Sequence, residues 1–104
     1  MSKRYKLVLQ WPGSALEDYD ALVSLEDVLI EHLPDGSDLD GHDIGVGQAN
    51  IFIDTDSPEA AFHAIQSFLE AHGALADLKA AYREDGMDQY DVLWPAGSRA
   101  FEVL

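Results

Sequence analysis

Cysteine is missing from this chain of 104 residues, which removes disulfides, thiolate nucleophiles and thiolate metal sites together. No apolar run exceeds three residues, so the sequence holds neither a membrane span nor a signal-peptide core. Cations are scarce: 6 Lys and Arg stand against 20 Asp and Glu, a formal charge of −14. A chain this acidic is repelled by phosphate backbones, so nucleic acid is not an expected partner. Between Lys6 and Lys79 there is no Lys or Arg at all, while 15 acids run from Glu17 to Asp77. With no basic neighbours in sequence, those acids are expected to be solvated or matched by an outside surface. The plainer reading is a soluble or salt-adapted surface, and the sharper one a face that docks a basic partner.

What is present outlines one α+β domain over residues 1–104. Tyr5, Leu7, Leu9 and Trp11 alternate with polar or smaller residues, the period of a strand, and Pro12-Gly13 ends it. Ser14 and Glu17 fit a capping box that opens a helix running to about Leu33. Taken as one cylinder, that helix places Glu26 inside its apolar arc. Either a second start at Ser24 bends the helix and turns Glu26 outward, or a carboxylate points at the core. The bend is the expectation. Leu39 to Val46 reads as a strand interrupted by Gly41 and Gly45, a bulged or twisted edge. Gln48 to Thr55 alternates clearly, with Ala49, Ile51 and Ile53 on one face. Ser57-Pro58-Glu59 starts a second helix with an Ala61, Phe62, Ile65, Phe68 and Leu69 stripe, and Gly73 closes it. Leu78 to Arg83 and Gln89 to Trp94 then form a hairpin about Asp85-Gly86, followed by a short tail, Phe101 to Leu104. The order β-α-β-β-α-β plus an extra C-terminal strand predicts a ferredoxin-like split βαβ plait, with two helices on one face of an antiparallel sheet.

Asp35, Asp38, Asp40, His42 and Asp43 crowd into nine residues. Calcium-loop spacing fails, because setting Gly41 at the sixth position puts Gly36 and Gly47 where acids are required. No metal and no cofactor is expected, and the aspartates suit a turn. His42 and Asp43 are adjacent and point to opposite faces of a regular strand. Acid–base work would therefore need a partner from elsewhere, for which Glu26 is the candidate, making Glu26, His42 and Asp43 the candidate catalytic set. Phe52, with Tyr82 or Tyr90, is expected to line the sheet face that carries no helix, a surface suited to a homodimer, a small ligand or a protein partner.

The segment from Gly41-His42-Asp43 through Gly45, Gly47 and Asn50-Ile51-Phe52-Ile53-Asp54-Thr55-Asp56 resembles a group of small bacterial proteins of unassigned function. Some relatives of that kind are labelled immunity proteins, which neutralise a toxin by binding it. The resemblance implies a bacterial, cytoplasmic protein with a ferredoxin-like fold, and carries no site residues. Together these readings predict a non-enzymatic acidic module. It would dock a basic protein through Asp35, Asp38, Asp40, Asp43 and Phe52. A dimeric small-ligand binder or enzyme is the alternative.

Overall fold

The computed structural model describes residues 4–12, 19–45, 47–71 and 73–95. Its elements are β1 (Tyr5–Pro12), α1 (Tyr19–His32), β2 (Ser37–Gly45), β3 (Gln48–Thr55), α2 (Pro58–Ala71), β4 (Lys79–Glu84) and β5 (Asp91–Trp94). The five strands form one antiparallel sheet in the order β2-β3-β1-β4-β5. The fold class is α+β, as expected. The Ser14–Glu17 capping box and the Phe101–Leu104 tail lie outside the described residues.

Strand alternation builds the core. Leu7, Leu9 and Trp11 of β1 sit opposite Ile53, Ile51 and Ala49 of β3, and all six are buried on one face. Leu25 and Leu29 from α1, and Ala61, Phe62, Ile65 and Leu69 from α2, join the same cluster, so both helices cover that face. Burial of such apolar area supplies the main driving force for the fold. α2 starts where the sequence signals it, at Pro58, with the Ser57 amide donating to Thr55 Oγ1 at 3.0 Å. It ends in a Schellman turn: the Gly73 amide donates to the Glu70 carbonyl and the Ala74 amide to that of Leu69. Gly73 has φ 69°, the left-handed conformation this turn requires.

Two tryptophans tie the connection after α2 to the sheet. Trp11 Nε1 donates to the Ala74 carbonyl at 2.7 Å, and Trp94 Nε1 to that of Leu75 at 3.3 Å. Among the described residues no helix is long and apolar enough to cross a membrane.

One expectation fails here. α1 runs without a break from Tyr19 to His32, through Ser24, and Glu26 is buried. The carboxylate points inward because a strand residue supplies the partner that the helix sequence alone does not reveal.

Candidate functional site

β2 is an edge strand, paired only with β3 among the described residues. Its register shifts between Leu39 and Gly41, so Asp40 is the extra residue of a bulge. Beyond the bulge, His42 sits opposite Ile51 and therefore faces the helices, whereas Asp43 sits opposite Asn50 on the other face. From α1, Glu26 Oε1 reaches His42 Nδ1 at 2.6 Å. The Glu26 side chain is 8% exposed and the His42 side chain 25%. A carboxylate this buried costs several kcal/mol unless it is paired, and the imidazole N–H supplies the pairing. Such a contact also fixes the ring's orientation, as the partner of an acid–base histidine does. Of the three residues singled out for chemistry, the fold brings two together. Asp43 is exposed and does not join them. Four surface clefts formed by described residues are lined by neither Glu26 nor His42.

The helix-free face carries the second ion-pair system. Antiparallel pairing aligns Asp38, Asp54, Lys6 and Arg83 in one row across β2, β3, β1 and β4. Lys6 Nζ lies 2.9 Å from Asp54 Oδ1 and also pairs with Asp40, which the bulge carries toward it. Burial lowers the Lys6 pKa, but the hydrogen bonds to Asp40 and Asp54 and the charges of both outweigh it, leaving the pKa above its ordinary value. The expectation that these acids lack an internal cation is thus wrong for Asp40 and Asp54. Lys6 is distant in sequence yet directly across the ladder. Two more basic groups staple turns: Arg4 Nη1 donates to the Gly36 carbonyl at 2.8 Å, and Arg83 Nη1 to the Met87 carbonyl at 3.2 Å. Asp27, Glu31, Asp35, Asp38 and Asp43 remain exposed, and among the described residues no ion pair reaches them. Among those residues, too, no three His, Asp or Glu side chains are grouped to hold a metal ion.

The aromatic layer expected on the helix-free face does not include Tyr82. Phe52 is there, half-buried opposite Val8. Tyr82, however, pairs with Leu7 and so faces the helix side, and Tyr90 lies between strands. Sequence alternation does not reveal which face of β4 meets which face of β1. The centre of the helix-free face is already closed, with Val8 and Ala81 fully buried. Beside them Gln10 and Asn50 are also buried, the Gln10 amide donating to Asn50 Oδ1 at 3.1 Å and to Gln48 Oε1 at 3.2 Å.

Sequence reasoning missed the pairing of Tyr5 with Tyr82, whose rings meet edge to face at 5.8 Å. Their cleft continues past Glu84, Met87, Gln89 and Asp91 and holds about 340 Å³. Burial raises the Tyr82 pKa, and the charges of Asp91 and Glu59, with Tyr5, push it further the same way. The alternation of Tyr5 with Leu7 hinted at its face, but its partner is set only by the strand register.

No family model matches the chain, and neither does a curated protein or a solved structure.

Proposed function

We propose that this chain is a non-catalytic, acidic docking domain of the immunity type, which binds a basic protein along the seam of α1 and the β2 edge. Our finer reading of the fold is a ferredoxin-like split βαβ plait, extended by β5 beyond β4. A cytoplasmic setting belongs to the same reading and suits a cysteine-free chain. One observation carries it: Asp27, Glu31, Asp35, Asp38 and Asp43 stay exposed, and among the described residues the one lysine that reaches the acids of β2 and β3 is spent on Asp40 and Asp54. Rim carboxylates of this kind chiefly accelerate and orient encounter with a positive surface. A second copy of the chain is a poor partner for this edge, because it would bring its own aspartates against these. Phe52 remains a contact for a partner that reaches the rim of the helix-free face.

Affinity capture tests the reading. The natural chain, and one carrying Asp35→Asn, Asp38→Asn and Asp43→Asn, are exposed to a cell extract at low salt and eluted in steps. The expected result is a basic protein held by the natural chain, released by salt, and lost from the variant. Identical retention by both chains contradicts the reading.

The Glu26–His42 contact favours a second reading, acid–base chemistry on a small ligand. It requires that His42→Ala abolish turnover while the chain stays folded. A small molecule bound equally well without the imidazole removes it.

A further inference from the structure

The cleft beside Tyr5 and Tyr82 has the composition of a cation receptor. Among the described residues its lining is Tyr5, Tyr82, Glu84, Met87, Gln89 and Asp91: two phenol rings, the exposed Asp91 carboxylate beside that of Glu84, and no basic side chain. A neighbouring cleft of about 220 Å³ shares both tyrosines and adds Asp56 and Glu59, again with no Lys or Arg among the described residues. Ring faces attract cations through their quadrupole, and nearby carboxylates strengthen the attraction. Of the basic residues that flank these tyrosines in sequence, Arg4 is turned to the Gly36 carbonyl, Lys6 to Asp40 and Asp54, and Arg83 to the Met87 carbonyl.

The two clefts are not equivalent. The smaller one abuts the first turn of α2, whose unpaired amides carry partial positive charge and disfavour a cation. The larger one has no helix end and is edged by Met87, an apolar side chain left 55% exposed. A thioether at the mouth suits the methylene stem of a long basic side chain, with the charged head beyond it.

We propose that the Tyr5–Tyr82–Met87–Asp91 cleft receives a lysine or arginine side chain projecting from the basic partner. This rests on the docking function above and adds the anchor that rim acids do not provide. Affinity in interfaces concentrates where one such side chain is taken out of water, while surrounding charges set the rate of approach.

Amide chemical-shift titration with the blocked tripeptide acetyl-Gly-Arg-Gly-amide tests the cleft without the partner. Its neutral isostere, with citrulline for arginine, is the control. Saturable shifts are expected at Tyr5, Tyr82, Met87 and Asp91, with the citrulline peptide about fivefold weaker. Asp91→Asn should weaken the arginine peptide, and Met87→Lys should abolish its binding. Both positions are exposed, so the test does not depend on a core substitution. Equal binding of the two peptides overturns the proposal, as do shifts confined to residues 35–43 or binding unaffected by Met87→Lys. If the cleft fails in this way while a basic protein is still captured and lost on neutralising Asp35, Asp38 and Asp43, the anchor is wrong and the docking function stands. If the peptide binds here but no such protein is captured, the docking function is wrong and the cleft remains a cation site.

Discussion

The two faces of the sheet treat their carboxylates differently. On the helix side, Glu26 is buried and meets a single histidine across the seam of α1 and β2. On the helix-free side, Lys6 draws together two acids, one from β3 and one from the bulge of β2. The first contact satisfies a carboxylate that could not otherwise remain inside. The second holds an edge strand to its neighbour by consuming one of the few cations, and among the described residues no ion pair reaches Asp27, Glu31, Asp35, Asp38 or Asp43. The same chemistry therefore acts once as an internal strut and once as the boundary of an exposed charge.

Breaking the strut should have the largest effect. His42→Ala leaves the Glu26 carboxylate buried without its donor, and urea denaturation should show a loss of about 2–4 kcal/mol. Glu26→Gln keeps a hydrogen bond and should cost about 1 kcal/mol. Replacing both residues by leucine sharpens the point: a purely structural pair predicts stability within about 1 kcal/mol of the natural chain. A double replacement as damaging as His42→Ala would show that the pair does more than satisfy itself.

Next in size is Lys6→Met. It leaves Asp38, Asp40 and Asp54 together with no lysine between them, where Asp38 and Asp54 are already cross-strand neighbours. The expected loss is about 1 kcal/mol, recovered in part by Asp40→Asn in the same chain. Gly36→Ala should cost a similar amount, about 1 kcal/mol. Gly36 has φ 86°, and a Cβ there would stand 2.8 Å from the Asp56 carboxylate.

The smallest effect is confined to alkaline solution. Lys6 and Tyr82 both have folded pKa values above their ordinary 10.5 and 10.0. Each binds its proton more tightly when folded, so its contribution is complete below the ordinary value and is lost as pH rises through the raised one. Thermal melts of the natural chain should fall off above about pH 10. Tyr82→Phe and Lys6→Met should each flatten that decline. An unchanged decline in both variants would assign it to other groups.

Local signals made much of the fold legible. β3 spans Gln48–Thr55 as its alternation dictates, and α2 begins at Pro58 and closes at Gly73 because those residues act within a turn of themselves. The glycines of β2 announced an irregular edge. What could not be read depends on pairing between distant segments. Glu26 turns inward because His42 faces it, and that in turn depends on the bulge that sets β2 in register with β3. Lys6 finds Asp54 only through the β1–β3 ladder, and Tyr82 finds Tyr5 only through β1–β4. Of the candidate chemistry, the choice of Glu26 as partner for His42 was legible, whereas the Tyr5–Tyr82 cleft was not.

The most direct test follows the rate at which the captured basic protein associates with this chain as ionic strength rises from about 20 to 200 mM, across which the screening length contracts from roughly 20 to 7 Å. Stopped-flow mixing should show the rate constant falling at least about tenfold over that range, and less steeply when Asp35, Asp38 and Asp43 are neutralised. A rate constant that stays flat with salt, and identical for the two chains, would contradict the account.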